Sequence, residues 1–145
     1  YCKKFYEDTI KEIKTNYVDT GKVRFVYKHF PLSFHESAEL SAMAVECANE
    51  QGVWYEYHEA IFENQEGNYD ESDLIKWSEG IVSDQNEFRS CLTSNRYSEK
   101  IKNDMNYGQS IGVQGTPGSV VNGIKIDGAQ PYAVVASIIE SELSN

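Results

Sequence analysis

Between Cys2 and Tyr17 the apolar positions Phe5, Tyr6, Thr9, Ile10, Ile13 and Tyr17 recur at steps of three and four, with lysines and acids filling the remainder. That spacing puts them on one face of an amphipathic helix. Gly21, in "DTG", suits the left-handed residue that follows a helix end. The period then changes to two: Val23, Phe25 and Tyr27 alternate with Arg24, Val26 and Lys28, which predicts a strand over 23–28.

From Phe30 to about Gly112 no strand is expected, only helices separated by caps. "SFHE", Ser33 to Glu36, matches a capping box ahead of Ala38, Leu40, Ala42, Met43, Val45 and Cys47, and Asp84 with Glu87 matches another. Segments 53–64, 71–81, 84–94 and 97–112 read as further helices, and Trp54, Tyr55, Tyr57, Phe62 and Trp77 as their core. The ending differs. Short strands at Ser119–Val121 and Ile124–Ile126 flank an Asn122-Gly123 turn of the kind tight hairpins favour. Pro131 suits the first turn of a last helix whose apolar face is Val134, Val135, Ile138, Ile139 and Leu143.

The 145 residues suffice for one domain with its own core. Thirteen Lys and Arg against 23 Asp and Glu leave a formal charge of −10, which repels phosphate backbones and anionic lipid, so nucleic acid is not expected as a partner. No apolar run approaches the ~20 residues of a membrane helix, and membrane insertion is not expected. No charged-then-apolar leader precedes Tyr1, so any export signal is expected to lie outside these residues. His29, His35 and His58 show no ligand spacing with one another or with the cysteines; neither a metal site nor a cofactor is expected. Cysteines stand at 2, 47 and 91, an odd count that fits either three separate buried thiols or one thiol whose partner lies elsewhere.

Helix, strand, helical block, Gly-Thr-Pro bend, hairpin and helix, in that order, resemble the DsbA-like branch of the thioredoxin-fold thiol–disulfide oxidoreductases over the whole chain. "YCKKF" looks like the second half of the family's C-x-x-C motif, and "HFPLSFH", "ECANEQG" with "YEYHEAIFENQ", and "GVQGTP" with "VNG" look like family segments in the family's order. The resemblance implies an α/β fold: a thioredoxin-like sheet with an inserted helical domain, its first strand missing from residues 1–145. It implies one domain, 1–145, with thioredoxin-like parts 1–30 and 113–145 and a helical insertion at 31–112. The first, nucleophilic cysteine would precede Tyr1, so residues 1–145 by themselves are not expected to complete a dithiol cycle. Gly118 follows the proline where the family more often has a bulkier strand-former, and the strand there is expected to start irregularly.

By that resemblance Cys2 is the deeper, resolving catalytic thiol, at a helix N-terminus whose N–H groups and dipole favour negative charge. Lys3 and Lys4 add positive potential, or are plain solubilising residues. Thr116 would present its backbone to an extended substrate segment, and Pro117, in a cis bond, would cover the cysteines and keep out metal. Once Cys2 is assigned, Cys47 and Cys91 are the remaining internal pair. A disulfide between them would contribute ~3–4 kcal/mol and would fit an oxidising compartment. The implied partners are unfolded or cysteine-containing protein substrates and a redox partner protein, and the implied location is periplasmic or extracytoplasmic. The rival reading is a non-catalytic binding or assembly module in which Cys2 is structural or joins two chains; the residue three before Cys2 discriminates. In this family a central strand separates 23–28 from 119–121 by ~10 Å. That slot is expected to be filled, by upstream residues or by a second chain in a strand-swapped oligomer.

Overall fold

The first helix, α1, covers residues 2–18 and alternates two bonding patterns. It is α-helical over Cys2–Phe5 and Lys11–Ile13 and π-helical over Tyr6–Ile10 and Lys14–Val18. In the π stretches an N–H reaches back five residues, as from Lys11 to the Tyr6 carbonyl and from Asp19 to the Lys14 carbonyl. The expected face survives this widening: Phe5, Tyr6, Thr9, Ile13 and Tyr17 are buried. Gly21 ends the helix at φ 76°, and the Lys22 and Val23 amides both return to the Tyr17 carbonyl.

The structure is a computed structural model describing residues 1–145, and it contains two compact units, 1–27 with 108–145 and 28–107. In the first unit, strands β1 (Gly118–Val121) and β2 (Ile124–Asp127) form an antiparallel hairpin in the register Gly118↔Asp127 to Val121↔Ile124. Asn122 and Gly123 turn it with φ of 46° and 87°, the two positive values that a tight hairpin turn needs. The final helix, here α7, runs Tyr132–Leu143 with Pro131 at its N-cap. Val135, Ala136 and Ile139 face a core shared with Phe5, Ile13, Tyr17 and Ile126, whereas Val134 and Leu143, expected inside, are exposed. Tyr17 clamps α1 to α7 by donating its hydroxyl to Glu140 Oε1 at 2.8 Å.

Two expectations fail in this unit. Residues 23–28 form no strand: the sheet has β1 and β2 only. A ladder needs a partner for its backbone groups and a covered face for its alternating side chains. Neither is present, and Phe25, Val26 and Tyr27 are 44%, 56% and 41% exposed. Gly118, expected to be irregular, is a regular member of the ladder opposite Asp127.

The second unit packs α2 (Ala38–Asn49), α3 (Trp54–Asn64), α4 (Glu71–Ser78), α5 (Gln85–Thr93) and the start of α6 (Ser98–Ser110). Met43, Tyr57, Leu74, Phe88, Leu92 and Ile101 lie at its centre, each worth about 1.5–3 kcal/mol of burial. Cys47 of α2 and Cys91 of α5 form a disulfide with their Cα atoms 5.7 Å apart. The box expected at Ser33–Glu36 does not form, because α2 begins later, at Ala38; its N-cap residue Ser37 spends its hydroxyl on the Tyr69 carbonyl. At Asp84 the forward half of the second box is made, to the Glu87 amide at 2.9 Å. The reciprocal box sits instead at Asp70 and Asp73, ahead of α4.

Candidate functional site

Cys2 is the first helical residue of α1, a free and half-buried thiol. Tyr1 stands at the N-cap without a side-chain cap, so no side chain occupies the first-turn amides there. Of the two lysines that follow, Lys4 pairs with Asp8 one turn along, which balances its charge locally.

In the same unit the chain arrives at β1 through a tight bend. Gly112 takes φ 87°, the Val113 amide returns to the Gly108 carbonyl, and the Thr116–Pro117 peptide bond is cis. Thr116 and Pro117 are both half-buried. The Pro117 carbonyl accepts from the Gly128 amide at 3.0 Å, tying the bend to the turn after β2. Thr9 closes the other side: it is 1% exposed and donates to the Gln130 carbonyl at 2.8 Å. Between Lys4, Phe5, Asp8 and Thr9 on α1 and residues 129–132 lies a cleft of about 170 Å³.

Of the site residues expected from sequence, Cys47 and Cys91 are brought together, both fully buried and out of reach of other thiols. Cys2, Thr116 and Pro117 belong to one unit. The histidines are taken up by the helical unit: His29 and His58 are buried, and His35 meets Phe34 edge-on in the loop before α2.

Sequence reasoning passed over a charged centre in the second unit. His29 Nε2 lies 2.7 Å from Glu46 Oε1, and its amide donates to Asp104 Oδ2 at 3.2 Å. Lys100 reaches Glu46 and Asp104 at 3.0 and 3.2 Å, and Lys28 reaches Asp104 at 3.1 Å. Burial pushes the Glu46 carboxyl up, but hydrogen bonds from His29 and Lys100 outweigh it and hold the pKa below the ordinary value. Asp104 is likewise raised by burial and lowered further by the His29 amide and the two lysines. The signal was an acid one turn from Ala42 and Met43, on the buried face of α2.

A family model described as Thioredoxin matches residues 1–141. "Na(+)/H(+) antiporter NhaA 3" of Salinispora tropica is 32% identical over 94% of the chain, which spans only 20% of that relative's length. "Disulfide bond formation protein D" of Bacillus subtilis is 26% identical over 98% of the chain and 67% of its own length. The crystal structure of oxidised BdbD from Bacillus subtilis superimposes with a TM-score of 0.86 at 24% identity, covering 99% of this chain and 81% of that one.

Proposed function

The chain belongs to the thioredoxin family, and from that premise we propose that it is the DsbA-like domain of a thiol–disulfide oxidoreductase acting on cysteine-containing exported proteins. The observation that carries the reading is the division of the cysteines. Cys47 and Cys91 are consumed in a buried disulfide, and Cys2 alone stays free, at the head of α1 in the unit that holds the cis Thr116–Pro117 bend. The likeness to a disulfide bond formation protein, over 98% of this chain and 67% of that protein, supports it.

In this reading Cys2 is the second cysteine of a C-x-x-C pair. A partner cysteine three residues earlier forms a mixed disulfide with the client. The Cys2 thiolate then attacks the partner's sulfur; a new bond joins the two protein cysteines, and the client leaves as a thiolate that takes a proton. Two electrons have passed from the protein to the client, and the reverse sequence oxidises a client. Thr116 offers its backbone to the client segment, Pro117 covers Cys2, and an additional strand lies between 23–28 and β1, where Phe25, Val26 and Tyr27 are partly exposed. The buried Cys47–Cys91 disulfide fits a periplasmic or extracytoplasmic setting.

The test is reductive turnover of a disulfide-bonded client by the full-length protein and its Cys2→Ser variant. Loss of at least a hundredfold in turnover, with client trapped as a stable mixed disulfide, is the expected result. Undiminished turnover in Cys2→Ser would overturn the reading. One observation favours the non-catalytic module as a second reading, namely the match to antiporter relatives of whose length the chain spans a fifth. Under it, Cys2→Ser changes neither turnover nor trapping.

A further inference from the structure

Along α6 the buried positions are Ile101, Asp104 and Gly108, one face of the helix at steps of three and four, and the middle one is a carboxylate only 6% exposed. Its oxygens meet the segment by which the chain enters the helical unit. Oδ2 accepts from the His29 amide at 3.2 Å and Oδ1 from Lys28 Nζ at 3.1 Å, and the same ammonium lies 5.8 Å from the centre of the Tyr107 ring, the next turn of α6. Lys100 and Glu46 close a ring. Lys100 Nζ reaches Asp104 and Glu46 at 3.2 and 3.0 Å, and Glu46 Oε1 lies 2.7 Å from the imidazole of the same His29. Burying such a ring costs desolvation that offsets much of its attraction, so what it secures is register more than stability.

The same helix carries that register onward. α6 leaves the helical unit after Tyr107, and its last turn, Gly108 to Ser110, belongs to the unit with Cys2. There the Gly108 carbonyl, one turn beyond Asp104, accepts from the Val113 amide at 2.9 Å, and the Gln109 carbonyl accepts from the Gly112 amide at 3.1 Å. Those two bonds start the bend that leads to Thr116 and Pro117. We propose that Asp104 is a positioning residue for this bend: by clamping Lys28 and His29 it fixes the register of α6, and the last turn of α6 sets the bend where Thr116 meets the client. The proposal rests on the reading of Thr116 as the client's backbone partner. Asp104 touches neither client nor cysteine, so its loss weakens client binding and leaves the thiol chemistry intact.

The experiment compares the full-length wild type with Asp104→Asn, which keeps the side chain's shape and removes its charge, and with Lys28→Met. Asp70→Ala is the control, since it weakens a helix cap of the same unit away from α6. Reductive turnover of a disulfide-bonded peptide is set against that of hydroxyethyl disulfide, which has no backbone to lay along Thr116. The expected result is a peptide KM raised about tenfold in Asp104→Asn, and by less in Lys28→Met, at unchanged kcat, with hydroxyethyl disulfide reduced as by wild type. Hydrogen exchange adds a readout that needs no turnover: the Val113 amide loses protection in both variants and keeps it in Asp70→Ala. An unchanged peptide KM, an unchanged Val113 exchange, or a change shared by Asp70→Ala overturns the proposal. Should Asp104→Asn fail to fold, Lys28→Met decides on the same terms. A wild type that reduces neither disulfide removes the oxidoreductase reading instead, and the Val113 exchange then decides the positioning role alone.

Discussion

Gly118 stands where the chain leaves the Thr116–Pro117 bend for β1, and a Cβ there would lie 3.1 Å from both the Gly115 carbonyl oxygen and Val113 Cγ1. The valine can yield but the backbone carbonyl cannot. Gly118→Ala is therefore expected to cost about 1–2 kcal/mol in urea unfolding, with Val113→Ala relieving only the side-chain part in the double variant. A Gly118→Ala protein as stable as wild type would show that the bend relaxes freely. Glu46 makes a different demand. Its folded pKa lies below the ordinary 4.5, so its stabilisation is present above that value and lost as pH falls through the folded pKa. Glu46→Gln should flatten stability against pH below 4.5, where urea midpoints at pH 7, 5 and 3.5 show the difference from wild type.

Helix ends carry their own predictions. Asp70 accepts from the Ser72 and Asp73 amides at 2.8 and 3.2 Å, and Asp73 returns a bond to the Asp70 amide, so Asp70→Ala should lower stability by about 1 kcal/mol. Replacing Cys47 and Cys91 together with alanine should cost ~3–4 kcal/mol of unfolding free energy, because the bond closes a loop with a sequence separation of 44. An unchanged midpoint would mean that packing alone holds α2 to α5. Periodicity located every helix, since each buries one face against its neighbours: the α1 positions Phe5, Ile13 and Tyr17 were readable from spacing alone. The strand over 23–28 was not, because alternation reports a chain's fitness for a ladder and not the presence of a partner. Nor was the start of α2, where Ser33 and Glu36 had the right spacing but Ser37, five residues before the first buried residue Ala42, held the N-cap position. Cys2 became readable as a candidate site only through the family resemblance, and the His29–Glu46–Asp104 centre joins residues 75 positions apart that no local pattern connects.

Charge divides the molecule unevenly. Residues 1–27 and 108–145 hold seven Lys and Arg against seven Asp and Glu, while residues 28–107 hold six against sixteen, so the whole formal charge of −10 belongs to the helical unit. On the proposed reading, the unit with Cys2, being electrically balanced, would meet clients of either sign, whereas the helical unit would repel acidic ones. Thiol exchange at Cys2 should accordingly depend weakly on salt for a neutral cysteine peptide and rise with salt for an acidic one. The decisive measurement is differential alkylation with mass spectrometry on the full-length protein equilibrated in glutathione buffers of graded ratio. If Cys2 is a redox thiol, it passes from alkylated thiol to a disulfide with a cysteine three residues earlier as the buffer is made more oxidising, while Cys47 and Cys91 stay joined throughout. A Cys2 that remains a free thiol in every buffer would contradict the account.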